Sequence, residues 1–168
     1  MTIRLYDYWR SSASYRVRIA LNMKGLAYEA VPISLIDGAQ RSPDYVAKNP
    51  QGFVPMLEVG GLRLTQSLAI IDWLDATQPG VRLIPSDPDK RAHALAMAYL
   101  IASDIHPLNN LRILKYLKNE LAVEEAARDD WYRHWIIEGF AALEAMADRS
   151  APYLGREEPN IADICLVP

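Results

Sequence analysis

Cysteine is almost absent from this sequence, because Cys165 is the single example in 168 residues. One thiol excludes an intrachain disulfide, and it also excludes a Cys-x-x-Cys redox site. A thioredoxin-type reductase is therefore ruled out. Thiol chemistry that does not use Cys165 requires a thiol from another molecule.

Long apolar runs and a strong net charge are missing as well. No stretch of 18 consecutive apolar residues occurs, which excludes a membrane-spanning helix. Residues 1–10 alternate apolar and polar side chains and lack the apolar core of a secretion signal. The net charge of −3 gives no reason to expect nucleic acid or an anionic membrane as a partner. We therefore expect a cytoplasmic globular protein.

Local patterns in the first 80 residues predict a small sheet with helices. Period-two alternation indicates strands, 3.6-residue periodicity indicates helices, and Gly60-Gly61 indicates a hairpin turn. A strand, helix, strand, helix, strand, strand, helix order predicts a mixed sheet covered by helices. These elements are expected at residues 3–8, 12–24, 28–33, from 42, at 55–59, 62–64 and 67–76.

The composition changes after Gln78-Pro79-Gly80, and the remainder is predicted to be helical. One long helix should run from Asp87-Pro88 to about Leu121 with a kink at Pro107, and another from Glu124 to Arg149. We therefore predict an α/β domain over residues 1–80 and an all-α domain over residues 86–168.

A last helix should begin at Asn160, with Asp163 at the position that completes a capping box. This helix is apolar on nearly every side and should be buried, although the sequence stops at Pro168. We therefore expect further C-terminal sequence to cover it, which would make the second domain incomplete.

Ser11 is the first candidate for chemistry, because it follows a strand and opens a helix. A hydroxyl beside the unpaired N–H groups of a helix start can stabilise an anion. Lowering a thiol pKa from about 8.5 to about 7 requires roughly 2 kcal/mol. One hydrogen bond to a charged group supplies about 1.5–3 kcal/mol. The simpler interpretation is that Ser11 only caps the helix.

Two further pairs of residues allow a structural and a functional interpretation. Val54-Pro55 can simply begin a strand, or, if the bond is cis, leave the Val54 backbone able to pair with an extended peptide. Only about 5–6% of X–Pro bonds are cis, so the residues alone favour trans. Ser67 can simply cap a helix, or the same N–H groups can bind a carboxylate beside Gln66.

Together these sites belong to a chain that resembles a zeta-class glutathione transferase, of the bacterial maleylacetoacetate/maleylpyruvate isomerase branch. The serine-rich run followed by Arg-Val-Arg is specific to that class, and the similarity covers the whole chain in order. The matching runs are residues 8–21 (YWRSSASYRVRIAL), 49–55 (NPQGFVP), 66–71 (QSLAII), 104–112 (DIHPLNNLR) and 162–168 (ADICLVP).

The resemblance implies a thioredoxin-like N-terminal domain that binds glutathione, with an all-α domain for the substrate. Ser11 would face the glutathione sulfur, and Ser11 and Ser12 are the implied catalytic residues. The implied cofactor-binding residues are Gln51, Val54, a cis Pro55, Gln66 and Ser67. Ala13 stands where the family usually has cysteine, which removes a polarisable group near the sulfur.

A dicarboxylate substrate requires cations, and the resemblance places four residues around it: Arg10, His106, Asn110 and Arg112. Arginine suits carboxylates because its planar fork binds them bidentately. Arg112 could equally be a solvated helix residue, and His106 could bond a carbonyl freed by Pro107. A further family arginine that binds the substrate lies beyond residue 168. No metal is implied.

The implied activity is cis–trans isomerisation of a maleyl keto acid, either maleylacetoacetate or maleylpyruvate, through thiolate addition, rotation and elimination. A general conjugating or dehalogenating transferase would share the glutathione residues but have a mostly apolar substrate pocket. A non-catalytic interaction protein is disfavoured because Ser11, Gln66 and Ser67 are all present. The resemblance also implies a homodimer.

Overall fold

The structure, a computed structural model, describes residues 2–168. The strands are β1 (Ile3–Asp7), β2 (Glu29–Pro32), β3 (Met56–Val59) and β4 (Leu62–Thr65). The helices are α1 (Ser12–Met23), α2 (Pro43–Val46), α3 (Ser67–Thr77), α4 (Pro88–Tyr99), α5 (Leu111–Asn119), α6 (Glu125–Met146) and α7 (Ile161–Leu166). A short 3-10 turn covers Ala39–Arg41, and a π-helical segment covers Leu100–Ile105.

The chain divides into two compact units. One comprises the residues up to Ile84 together with Val167–Pro168, and the other comprises Pro85–Leu166. None of the helices over residues 2–168 is both long enough and apolar enough to cross a membrane.

The first unit is built on a four-stranded sheet in the order β2-β1-β3-β4. β2 runs parallel to β1, whereas β3 is antiparallel to both β1 and β4. Leu5 and Leu57 face each other across β1 and β3 and are fully buried. Helices α1 and α3 pack against each other, with Val17 and Leu21 of α1 in the core. The predicted mixed sheet and the order of its elements are confirmed.

Local signals end and begin these elements as predicted. Gly25 has a φ of 65° directly after α1, a conformation that glycine adopts at little cost, and the Leu26 N–H closes the turn on the Leu21 carbonyl at 2.9 Å. Ser42 caps α2 by accepting a hydrogen bond from the Tyr45 N–H at 3.3 Å.

The prediction of one continuous, kinked helix from Asp87 to Leu121 is wrong. Helix α4 changes into the π-helical segment at Leu100, the chain leaves the helix after Ile105, and α5 begins at Leu111. Pro107 has no N–H to donate, so a continuous helix would lose a backbone hydrogen bond there. The new start at Asn110 provides a capped helix in its place.

Helix α7 begins with the predicted capping box. The Asn160 side chain accepts from the Ala162 N–H at 2.8 Å, and the Asp163 carboxylate accepts from the Asn160 N–H at 2.9 Å. Four residues of α7 are buried, and α7 packs against α4 and the π-helical segment. Neighbours within the same unit thus cover these apolar side chains, and the expectation of further C-terminal sequence stays a prediction.

A buried ion pair joins the end of α1 to the end of α3. Lys24 Nζ lies 3.2 Å from Asp75 Oδ1, and the two side chains are 1% and 5% exposed. Lys24 also donates to the Gln78 and Val81 carbonyls, whereas Asp75 accepts from the Leu83 N–H at 2.7 Å and from the Ile84 N–H at 3.3 Å. The pair thus holds the segment after α3 against the sheet unit, with its polar groups satisfied.

Replacing Asp75 by alanine is expected to lower the free energy of unfolding by about 3–5 kcal/mol, because it leaves the Lys24 ammonium buried without a counter-charge. Urea denaturation at pH 7 measures the change. The matched control is Arg4→Met, which removes an exposed pair with Glu29 and should cost less than about 1 kcal/mol. Equal losses for the two variants would contradict the assignment.

Candidate active site

The strand register brings three chain segments to the same end of the sheet. Tyr6 of β1 is paired with Met56 of β3, so the residues that follow β1 run alongside those that precede β3. Met56 is also paired with Thr65 of β4, so Gln66 follows at that same end. The loop before Ser11, the Val54–Pro55 segment and the start of α3 are therefore neighbours.

Ser11 caps α1 and keeps a hydrogen to donate. Its N–H bonds the Tyr8 carbonyl at 2.9 Å, and its Oγ accepts from the Ser14 N–H at 3.2 Å. The capping bond uses a lone pair of Oγ, so the O–H remains a donor. The capping interpretation and the anion-binding interpretation of Ser11 are therefore compatible.

Ser12 makes a different bond. Its hydroxyl donates to the Pro168 carbonyl at 3.1 Å, which uses the only hydrogen that this group has. In this structure Ser12 therefore anchors residue 168 to the first turn of α1. A catalytic role for Ser12 stays a prediction.

The Val54–Pro55 peptide bond is cis, as the resemblance implied and against the expectation from the residues alone. Val54 and Pro55 are both buried, and β3 begins at the next residue. The segment therefore reaches the end of the sheet directly in front of a core strand.

The start of α3 has features of an anion site. Gln66 has a φ of 68°, which is uncommon for a residue other than glycine, and no side chain caps the helix. Ser67, the first residue of α3, is buried. Four N–H groups at a helix start need acceptors, and here a bound carboxylate could supply them.

Gln51 and Gln66 are joined directly, because Gln66 Nε2 donates to Gln51 Oε1 at 2.7 Å. Both side chains are exposed. Two of the predicted cofactor-binding residues, 15 positions apart in sequence, are thus brought together.

Arg10 lies in the loop before Ser11. Its guanidinium carbon is 5.6 Å from the centre of the exposed Trp9 ring. Stacking on an aromatic face restrains an arginine while leaving its fork available to a carboxylate.

The other three predicted substrate residues form a connected group in the second unit. Asn110 caps α5, since its Oδ1 accepts from the Arg112 N–H at 3.1 Å, and its Nδ2 lies 3.2 Å from His106 Nε2. The capping bond fixes the amide orientation, so the amide nitrogen must face the imidazole. Nδ2 is a donor only, and His106 Nε2 must therefore accept. Arg112 is exposed in the first turn of α5.

Three structurally important residues were not recognised as part of the site from the sequence. Arg18 of α1 donates to Asp7 at 2.7 Å and to the Trp9 carbonyl at 3.0 Å, and it thereby holds the loop before Ser11. Tyr45 and Asn49 were missed, and both donate to the Phe53 carbonyl, directly before Val54. The Asn49-Pro50-Gln51-Gly52 turn signal was the only local indication.

Among residues 2–168 no group of three or more His, Cys, Asp or Glu side chains is arranged to hold a metal ion. The candidate site residues instead offer hydroxyl, amide, imidazole and guanidinium groups, with backbone N–H groups at the starts of α1 and α3.

Comparison with known families identifies the first unit. Residues 1–76 match the family model described as the glutathione S-transferase N-terminal domain. Residues 1–76, which contain the mixed sheet and the cis-proline segment, therefore form the N-terminal domain of a protein of the glutathione S-transferase class.

Similarity to individual proteins identifies the family within this class. The chain is 49% identical to maleylacetoacetate isomerase of Rhizobium meliloti, over 98% of this chain and 78% of the relative. It is 41% identical to maleylpyruvate isomerase of a Ralstonia species, over 99% of this chain and 80% of the relative. A solved maleylacetoacetate isomerase of Methylobacterium extorquens AM1, with bound malonate and glutathione, superposes with a TM-score of 0.92 at 40% identity, over 96% of this chain and 78% of that chain. The chain therefore belongs to the zeta-class glutathione transferases, the family of the maleylacetoacetate and maleylpyruvate isomerases.

The contact between Asn110 and His106 predicts the tautomer of that histidine. A neutral His106 should carry its proton on Nδ1, because the Asn110 amide donates toward Nε2. Long-range 1H–15N NMR spectra of the imidazole at pH 8 distinguish the two ring nitrogens, and exposed His134 is the internal control. A proton found on His106 Nε2 would contradict the amide orientation.

Proposed function

We propose that this protein is a glutathione-dependent cis–trans isomerase that converts a maleyl keto acid, maleylacetoacetate or maleylpyruvate, to its fumaryl isomer. The observation that carries the proposal is the Ser11 hydroxyl at the start of α1, which retains a hydrogen to donate. The relatives at 40–49% identity are isomerases of these two substrates, which supports the same reaction here.

The residues present fit glutathione. Its γ-glutamyl end carries a carboxylate and an amino group, and the uncapped start of α3 with Gln66 and Gln51 offers donors and acceptors for both. Its cysteinyl residue has a peptide backbone that the Val54 backbone can pair with, directly before the cis-proline and the start of β3. Ser67, the buried first residue of α3, is proposed to hold the γ-glutamyl end together with Gln66, and buried Pro55 follows Val54.

When bound, glutathione supplies a sulfur nucleophile that adds reversibly to the double bond of the maleyl group, which allows rotation about that bond. The contribution of this chain is to keep the sulfur anionic. The Ser11 O–H donates to it at the positive end of the α1 dipole, and no general base is required.

The substrate carries two carboxylates, and the proposed residues that bind them are Arg10, His106, Asn110 and Arg112. Arg10 and Arg112 are exposed guanidinium groups that can each bind a carboxylate bidentately. His106 and Asn110, whose side chains lie 3.2 Å apart, are proposed to hydrogen-bond the keto oxygen, where negative charge develops. The Methylobacterium relative was solved with bound malonate, which is a dicarboxylate, and this supports a dicarboxylate substrate here.

A general conjugating transferase is the second candidate, because Trp9 beside Arg10 is 73% exposed and offers an apolar surface to hydrophobic electrophiles. Comparing turnover of maleyl keto acids with turnover of 1-chloro-2,4-dinitrobenzene separates the two functions. We further propose a cytoplasmic homodimer, on the strength of the family alone, and a light-scattering mass of twice 18.9 kDa would support the dimer.

Replacing Ser11 by alanine is expected to lower kcat for glutathione-dependent maleyl isomerisation by about 10- to 100-fold. The reason is that one hydrogen bond to a charged group contributes about 1.5–3 kcal/mol. The ultraviolet absorbance of bound thiolate near neutral pH should fall in parallel, and Ser11→Thr should retain part of both signals.

The control for lost capping is Asp87→Ala, which removes the side-chain cap of α4 while leaving the first unit unchanged. Both alanine variants should lose about 1 kcal/mol of stability. The proposed function fails if the unsubstituted protein shows no glutathione-dependent loss of either maleyl substrate, or if Ser11→Ala keeps full turnover.

Replacing Arg112 by methionine should raise KM for the maleyl substrate about tenfold or more, with KM for glutathione unchanged, because it removes a guanidinium bond to a carboxylate. Steady-state kinetics with each substrate varied in turn measure the effect. Lys115→Met, an exposed cation one turn later on α5, is the matched control. An equal effect of both variants would indicate general charge attraction and would refute a specific contact.

A further inference from the structure

The carbonyl of Phe53 is held from inside the first unit by two buried side chains. The Tyr45 hydroxyl donates to it at 2.6 Å, and Asn49 Nδ2 donates to it at 2.7 Å. Tyr45 is 3% exposed and Asn49 is 1% exposed. Two strong donors on one carbonyl fix the orientation of the peptide plane that leads into Val54.

Asn49 also holds the other end of the same loop. Its Oδ1 accepts from the Gln51 N–H at 3.2 Å, and its own carbonyl accepts from the Gly52 N–H at 2.8 Å. One buried amide therefore sets the backbone on both sides of Gly52. Gly52 has a φ of 59°, and a Cβ there would lie 2.8 Å from the Gln40 carbonyl oxygen, so the loop has little room for another path.

The loop in turn presents two of the proposed glutathione-binding groups. Gln51 faces outward and bonds Gln66 at 2.7 Å, whereas Val54 follows the clamped Phe53 carbonyl directly. Asn49 and Tyr45 are buried and so contact the loop from the side opposite to an exposed ligand. They act on the cofactor site only through Gln51 and Val54.

We propose that Asn49 and Tyr45 are positioning residues for glutathione, which hold Gln51 and the Val54 backbone in the binding geometry before the tripeptide arrives. The inference rests on the proposed function, because it assumes that glutathione occupies this end of the sheet. A site that is ordered in advance loses less entropy on binding, so the two residues contribute to affinity without touching the ligand.

Burial raises the pKa of Tyr45 to about 12, and this keeps its hydroxyl protonated and able to donate across the pH range in which the enzyme can be assayed. The bond to Phe53 is therefore present at every assay pH. The effect of removing it should not depend on pH between about 6 and 9, in contrast to an effect on the sulfur itself.

The experiment uses two substitutions of matched shape. Tyr45→Phe removes one donor and keeps the ring, and Asn49→Asp removes the other donor while keeping the oxygen that accepts from the Gln51 N–H. A hydrogen bond of ordinary net strength corresponds to about a two- to tenfold change in an equilibrium constant. Tyr45→Phe should therefore weaken glutathione binding by that factor, and Asn49→Asp, which also turns a carboxylate oxygen toward the Phe53 carbonyl, should weaken it by at least as much. Isothermal titration calorimetry with glutathione measures both effects.

The expected result is a change in glutathione affinity without a change in the rate of the chemical step. KM for glutathione should rise in both variants, whereas kcat at saturating glutathione and the pH titration of bound thiolate absorbance should match the unsubstituted protein, because Ser11 lies on a different segment. Tyr28→Phe and Asn22→Asp, a half-buried tyrosine and an exposed asparagine of the same unit, are the matched controls and should bind glutathione normally. Thermal unfolding shows which variants are folded. If Asn49→Asp does not fold, the glutathione affinity and kcat of Tyr45→Phe alone test the positioning role.

The possible failures are distinguishable. If the unsubstituted protein does not bind glutathione, the proposed function fails and this inference fails with it. If the unsubstituted protein binds and both folded variants bind equally well, only the positioning role is overturned. A lowered kcat or a shifted thiolate titration at unchanged affinity would overturn it as well, since the residues would then act on the sulfur.

Discussion

The antiparallel pairing of β3 with both β1 and β4 is the constraint on which the candidate site depends. It places the C-terminal end of β1, the N-terminal end of β3 and the C-terminal end of β4 at the same end of the sheet. Each of these ends continues into a segment with its own donors: the Ser11 turn, the cis-proline segment and the start of α3. A shift of one residue in either register would turn these segments toward opposite faces. The arrangement of the candidate site therefore depends on strand pairing that buried side chains such as Leu5 and Leu57 support.

In the first unit, the polar groups that stabilise the fold lie at a different place from those proposed to bind a ligand. Lys24 and Asp75 satisfy each other and the backbone at the ends of α1 and α3, away from the predicted ligand groups. At the other end of the same helices, the N–H groups of α3 have no side-chain cap, and the Ser11 hydroxyl keeps its hydrogen. Because the ion pair and its hydrogen bonds stabilise the C-terminal ends of α1 and α3, the N-terminal ends can keep unpaired donors without loss of the fold. The incomplete end carries the residues proposed to bind glutathione.

Sequence patterns predicted the elements that are set by local chemistry. The Ser42, Asp87 and Asn160 caps and the turn at Gly25 depend on neighbours within a few residues, and all are present. The break between α4 and α5 was predicted only as a kink, because the competing helix start at Asn110 was not weighed against the loss at Pro107. The bonds of Tyr45 and Asn49 to Phe53 could not be predicted from periodicity, since they depend on how α2 and the loop after it fold over β3. The roles of the site residues came from family resemblance and remain predictions.

Asn110 bonds both a helix start and an imidazole, and this restricts how the position can change over time. Serine, threonine and aspartate begin helices nearly as well, so folding alone would let them replace it. Aspartate, however, would turn a negative oxygen toward the ring and favour a second proton on it, and serine would be too short to reach it. A substitution at residue 110 can therefore preserve the start of α5 and still change the hydrogen bonding and charge of an imidazole four residues earlier, which a measurement of stability alone would not detect.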